Sequence, residues 1–468
     1  MKKWFAHPTD IHEPLTGAEI TGMTFAGTSL SMLHIIISVF IMYFYINVAG
    51  ISAAVVGTLL LVTRIADGFS DLGMGAIITK TRSRWGTARP WGLRMALPLL
   101  ISVILTFSVP VNWGIHARTI YACITYFLMF SIAITPAGMV GAVLGTNMTV
   151  NPKSRQKNAM ISSLFSIVAA VGGNMAVMRI TTSMGDSAQA WRSMAIALGL
   201  FAFAGQVAQF LLTRERNHTT VGNAQHSPKN SILSQLPALT RNRYFIIMCM
   251  VGMMAALEGA MIGTMIFYVH YVLNSANMTL IAIIGMVTML PMIIGITLTP
   301  VITKKIPIKY LIIAGLVVKI ITFGINLYNP VNLVLFISFT ALRSFMNAPQ
   351  IMYGSVYLLN TIEYGEYKTG IRANNLIISV SSVWSKIGAG LGGALTGWLL
   401  SLGGYDGMAA VQAVSAQNMI IVTYFFIPMV ASVIMLILFM MYDLDKQYDH
   451  VLKKLKHRRN ISGAALAN

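Results

Sequence analysis

A helix crosses the hydrocarbon core of a bilayer with about 20 consecutive apolar residues, and this chain offers twelve runs of that kind. They lie near 22-47, 52-79, 95-112, 118-148, 159-179, 193-213, 244-272, 279-302, 308-328, 332-360, 373-403 and 419-441. Lipid supplies no hydrogen bonds, so a spanning segment of this length must satisfy its own backbone as a helix. Only 10% of the residues are charged, against roughly 25% in a soluble domain. The expected fold class is therefore all-α: an integral membrane protein of twelve transmembrane helices.

The net charge of +19 raises the question of nucleic acid, but the basic residues do not gather on one face. Lys2 and Lys3, Lys80 to Arg89, Lys153 to Lys157, Arg214 to Arg243, Lys304 and Lys305, Lys368 and Arg372, and Lys453 to Arg459 fall on alternate links between spans. The intervening links hold little beyond Arg118 and Arg192. The positive-inside rule then predicts a multi-pass membrane protein with both termini cytoplasmic, in contact with lipid and not with nucleic acid. The opening "MKKWFAHPTDIHEPLTGAE" lacks the apolar core of a cleavable signal, so the first span is expected to be its own insertion signal. Cys123 and Cys249 both lie in apolar runs and read as packing residues.

The longest polar link, Thr213 to Arg243, divides the spans six and six. The expected organisation is an N-terminal six-helix half at 1-212, a central cytoplasmic loop at 213-243, a C-terminal six-helix half at 244-441 and a cytoplasmic tail at 442-468. Two six-helix halves are the layout of a major-facilitator-type fold, with its site near the bilayer midplane.

A charge at a helix centre costs roughly 2.5 to 3.5 kcal/mol on insertion scales, so each one needs a partner or a role. Arg64, Asp67 and Asp71 in the second span stand at i, i+3 and i+7, within an arc of roughly 60° on one face. Asp67 and Asp71 can share one cation with Ser70 adding a neutral oxygen, or their repulsion can make one of them a proton carrier. The structural alternative is that Arg64 neutralises one aspartate and the stripe locks the helix to a neighbour. Glu258, Arg343 and Lys386 lie on three other spans and meet only if those helices surround one cavity; a packed Glu258–Arg343 pair is the alternative. Lys319 reads as a lysine reaching towards the interface or a neighbouring carbonyl, and His34 as a hydrogen-bonded helix histidine.

The segment "RIADGFSDLGMGAIITKTRSRWGTARPW", Arg64 to Trp91, resembles the second helix and following loop of the glycoside-pentoside-hexuronide:cation symporters, which include the melibiose permeases and bacterial glucuronide transporters. "NPKSR", "TIEYGEYKTGIRA" and "GGALTGWLLSLGGYDG" are similar to that family's later loops and eleventh helix. The resemblance implies a secondary active transporter that couples a proton or sodium ion to sugar uptake, with no cofactor and no metal beyond possible sodium at Asp67 and Asp71. It assigns those two residues to the cation site, and Lys386 to a position linked to both cation and sugar. A helix-one aspartate that holds galactoside in the melibiose permeases falls on Ser31, and their helix-four aspartate falls in "TPAGMVG", which has no carboxylate. Arg343 is not expected in the family.

With those carboxylates gone, four midplane cations (Arg64, Lys319, Arg343, Lys386) face three anions (Asp67, Asp71, Glu258). An arginine fork suits a carboxylate, so the expected substrate is an acidic sugar such as a hexuronide, bound by Lys386, Arg343, Glu258 and Ser31. A neutral glycoside or pentoside, or export of a sugar-derived anion, is the alternative. At the cytoplasmic ends Arg84, Arg89, Glu363, Glu366 and Arg372 are candidates for a gate, unless these charges only set topology. No HExxH, phosphate-binding glycine loop or assembled Ser-His-Asp set is present, so no enzyme is expected. The expected partner is a small sugar or sugar acid, and the expected state is a monomer.

Overall fold

The structure is a computed structural model that describes residues 10–81, 83–216, 239–274, 279–370, 374–409 and 411–455. Among the described residues there are no strands and twelve long helices. They are α1 (Gly17–Val48), α2 (Ala53–Lys80), α3 (Arg89–Thr106), α4 (Ile115–Met148), α5 (Pro152–Ser183), α6 (Ala188–Leu212), α7 (Arg243–Val272), α8 (Thr279–Ile302), α9 (Ile308–Tyr328), α10 (Leu333–Thr369), α11 (Asn374–Leu402) and α12 (Val414–Lys446). Ten of these are long and apolar enough to cross a membrane; α3 and α10 are the two more polar ones.

Local chemistry sets where several helices begin. Thr16 accepts from the Glu19 backbone while the Glu19 carboxylate accepts from the Thr16 N–H, a reciprocal box that starts α1. Asn151 caps α5 through the Lys153 and Ser154 N–H groups, and Pro152 occupies the first helical turn. Asn332 caps α10 through the Leu335 N–H, and α10 stops at Gly370, whose left-handed φ of 73° favours glycine.

The chain forms two compact units. One takes in the described residues of 1–226, 262–285 and 393–420; the other those of 227–261, 286–392 and 421–468. In the first unit, the end bearing the basic links is tied by the segment after α6. The buried Glu215 carboxylate accepts from the Thr87, Ala88 and Arg89 N–H groups at 2.9, 2.7 and 2.6 Å and so caps α3. Arg216 pairs with Glu19, both side chains fully buried. Gly86 has a φ of 109°, and a Cβ there would run into the Glu215 carboxylate.

At the opposite end of the first unit, Trp191 packs among Phe40, Phe44 and Phe107. The Asp186 carboxylate accepts from the Tyr43 hydroxyl and from the Trp191 indole N–H, each at 2.7 Å. Burial nevertheless holds the Asp186 carboxyl above its ordinary range. Asn47 donates to the hydroxyls of Tyr405 at 2.9 Å and Tyr271 at 3.1 Å. α2 and α11 touch backbone to backbone here, because a Cβ on Gly397 would overlap the Ala53 carbonyl and Gly57.

In the second unit, α9 packs on α10 and α12, and α11 packs along α7, with Gly388 against the Met253 carbonyl and Gly392 against that of Leu257. Asn242 donates to the Thr361 carbonyl at 2.7 Å and fastens the start of α7 to α10.

Asp186 has a left-handed φ of 52° and two donors aimed at it. Asp186→Ala strands both donors in a buried setting and is expected to destabilise the protein by about 2 to 4 kcal/mol. Asp186→Asn keeps an acceptor and tolerates the backbone, so its cost is expected to be smaller. Thermal unfolding of the purified variants checks this: equal melting points for Ala and Asn would remove Asp186 from the account.

Candidate functional site

In the first unit the polar stripe of α2 faces the middle of α4. Residues Leu128–Ile134 of α4 form a π-helical turn, a widened geometry that leaves backbone carbonyls open to other donors. The Ser70 hydroxyl donates to one of them, the carbonyl oxygen of Ser131. Thr135, just past the π turn, donates its hydroxyl to Asp67 Oδ1 at 2.6 Å. The Arg64 guanidinium lies 3.8 Å from the centre of the Phe130 ring, a cation–π contact worth about 2 kcal/mol when desolvated. Three residues of α2 at successive i+3 steps thus meet Phe130, Ser131 and Thr135.

Asp67 is only 1% exposed, and Asp71, one turn further on, is half-buried. The Ser131 hydroxyl is also buried and makes no hydrogen bond among the described residues. The described groups that meet the stripe beside Asp67 include the Thr135 hydroxyl, the Ser131 carbonyl and the Ser131 hydroxyl, all oxygens. Such a set suits a hard cation such as sodium, or a proton carried on a carboxyl group. Among the described residues no cluster of three or more His, Cys, Asp or Glu could hold a metal ion.

The second unit carries the other midplane charges. Lys319 Nζ of α9 donates to Glu258 Oε2 of α7 at 2.6 Å and to Asn347 Oδ1 of α10 at 3.4 Å. The sequence expectation was that Lys319 reaches for the interface and that Glu258 pairs, if at all, with Arg343; the structure gives Glu258 to Lys319 instead. Arg343 is turned towards α9, its guanidinium 4.4 Å from the Phe323 ring centre and its Nη2 donating to Thr340 at 2.9 Å. Lys386 is half-buried on α11, and its neighbour Ser385 lies against Gly252 of α7.

Ser31 is half-buried on α1, and His34 is exposed with its ring edge-on to Phe130 at 5.8 Å. On α5 the Ser162 hydroxyl hydrogen-bonds that of Thr24 on α1 at 3.1 Å. Of the gate candidates, Arg84 stacks on Trp85, and Arg89 directs its guanidinium to the Phe210 carbonyl at 2.8 and 2.9 Å. Glu363 accepts from the Tyr448 hydroxyl, Glu366 is half-buried on α10, and Arg372 lies outside the described residues. Ser131, Thr135 and Asn347 were not singled out from the sequence. Ser131 and Thr135 stand four apart in an apolar run, which was the available signal.

A family described as MFS/sugar transport protein matches residues 22–446. The isoprimeverose transporter of Lactiplantibacillus pentosus is 29% identical, the match covering 90% of this chain and 88% of that protein. The glucuronide carrier protein homolog of Escherichia coli (strain K12) is 26% identical over 96% of this chain and 98% of its own length. Among solved structures, a D-xylose-proton symporter superposes with a TM-score of 0.60 at 14% identity, covering 89% of this chain and 96% of the other, a likeness of fold alone.

If the oxygens around Asp67 form one cation site, sodium titration of the purified protein by calorimetry should lose its binding heat in Asp67→Asn and weaken about fivefold in Ser131→Ala, the size of one lost oxygen contact at about 1 kcal/mol. Sodium affinity unchanged in Asp67→Asn would take Asp67 out of the site.

Proposed function

The chain belongs to the MFS/sugar transport protein family, a family of membrane transporters and not of enzymes, and on that premise we propose that it is a cation-coupled symporter of a sugar or glycoside. The observation that carries the coupling is Asp67: a carboxylate 1% exposed in the middle of a span that accepts from the Thr135 hydroxyl. A group so costly to keep in a membrane is a functional site unless its charge is fully matched within the fold.

A cation bound between Asp67 and Asp71 removes negative charge from the α2 stripe and favours the arrangement that takes up sugar. Linkage requires the sugar to raise cation affinity by the same factor. Transport then follows from the two six-helix halves, 1-212 and 244-441, rocking about the site to expose it to each side in turn. The distribution of basic links supports placing both termini in the cytoplasm; the proposal takes the protein as a monomer in the bacterial cytoplasmic (inner) membrane. Arg84, Arg89, Glu363, Glu366 and Arg372 are the candidates for charges that close the cytoplasmic ends. Arg89 is engaged by the Phe210 carbonyl and Glu363 by the Tyr448 hydroxyl.

On the substrate side the residues are Glu258, Lys386, Arg343 and Ser31. An acidic sugar remains a second reading, favoured by Lys386 and by the likeness to a glucuronide carrier homolog. Lys319 pairs with Glu258, which takes one cation and one anion out of the midplane set and leaves the excess of one cation unchanged.

Uptake into membrane vesicles tests the proposal, with a labelled neutral glycoside and a labelled glucuronide each offered under a proton gradient alone and a sodium gradient alone. One gradient is expected to drive accumulation above equilibrium, and Asp67→Asn to abolish it. Equilibration without accumulation under either gradient would overturn the symport mechanism.

A further inference from the structure

We propose that Glu258 reads the hydroxyl groups of an uncharged glycoside at a mid-membrane interruption of α7, and that Lys319 is the positioning residue that holds it there. The inference rests on the transport reading above and narrows its substrate class.

Glu258 lies at the centre of the 30-residue span Arg243–Val272. The α-helical hydrogen bonding of α7 stops at Ala260, two residues later, and gives way to a 3-10 turn at Met261–Gly263. Helices interrupted at mid-depth are where transporters place substrate groups, since the break opens backbone polar atoms to a ligand. The Lys319–Glu258 pair is also lopsided. The Lys319 side chain is 4% exposed and that of Glu258 20%, so the cation is sealed and the carboxylate is not. Glu258 Oε2 is occupied by Lys319, while Oε1 receives no hydrogen bond from a described residue. A carboxylate oxygen exposed at this depth cannot face hydrocarbon without great cost, so it faces water and whatever ligand displaces it.

The chemistry of that oxygen favours a neutral ligand. It accepts hydrogen bonds and is charge-balanced by Lys319, whereas a uronate beside it would set two carboxylates against each other. Arg343, the cation first assigned to an anionic substrate, is 8% exposed and stacked on Phe323.

The test is equilibrium binding to the purified full-length protein of para-nitrophenyl β-glucoside and β-xyloside beside para-nitrophenyl β-glucuronide, with the monodeoxy glucosides as probes. A neutral glycoside is expected to bind at least tenfold more tightly than the glucuronide. Glu258→Gln and Lys319→Met should each lose tenfold or more, and Lys319→Arg should recover most of the loss. One monodeoxy glucoside should bind weakly to the parent yet lose nothing further in Glu258→Gln, which a packing role for the pair would not produce. The uncharged double variant Glu258→Gln/Lys319→Met folds if the pair is merely structural, and should then bind normally; persistent weak binding supports the proposal. Glucuronide preferred over every neutral glycoside, or normal binding by the double variant, overturns it while leaving sugar symport standing. Absence of gradient-driven uptake of any of these sugars is instead the failure of the symport reading.

Discussion

Everything in this fold answers to one constraint: a polar group inside hydrocarbon must find its partner within the protein. The chain meets it mostly by pairing across helices far apart in sequence. Lys319 meets Glu258, Arg216 meets Glu19, Asp67 meets Thr135, and Arg64 and Arg343 lie on aromatic rings. Such pairs form only if helix backbones come close, and that is where the glycines sit: Gly397 against Ala53, Gly388 and Gly392 against α7, Gly315 against the Met346 carbonyl. The small residues and the buried charges are two halves of one requirement.

The same constraint explains why irregular helix geometry coincides with polar residues. A π or 3-10 turn leaves backbone carbonyls without their usual donor, which lipid cannot replace. In α4 the π turn offers the Ser131 carbonyl and Ser70 satisfies it. In α7 the regular helix ends two residues after Glu258. In α12 the π turn Val422–Phe426 holds Tyr424, which packs against Phe336 of α10. Each irregularity adapts one helix to a neighbour or leaves room for a ligand.

Much of this was legible in the sequence because it depends on local pattern. Apolar run length located the helices, and helical periodicity put Arg64, Asp67 and Asp71 on one face. What periodicity along one helix cannot supply is the identity of the facing helix. Lys319 and Glu258 are 61 residues apart, and either Lys319 or Arg343 could have taken the glutamate on composition alone. Arg343 is diverted because Thr340, one turn earlier on its own helix, and Phe323 of α9 form a closed seat for the guanidinium. For Ser131 and Thr135 the four-residue spacing is a weak signal for a related reason: hydroxyls in an apolar helix usually bond back to their own backbone, and the π turn makes these two different.

The partnering also bears on how many cations one cycle carries. The α2 stripe holds two carboxylates and one guanidinium, a formal charge of −1 with both carboxylates ionised. Arg64 lies over Phe130 and Asp67 accepts from Thr135. On the cation site proposed above, a single monovalent cation brings the formal charge of the stripe to zero, and a second would leave a net positive charge in low-dielectric surroundings, at a cost that grows as solvent is excluded.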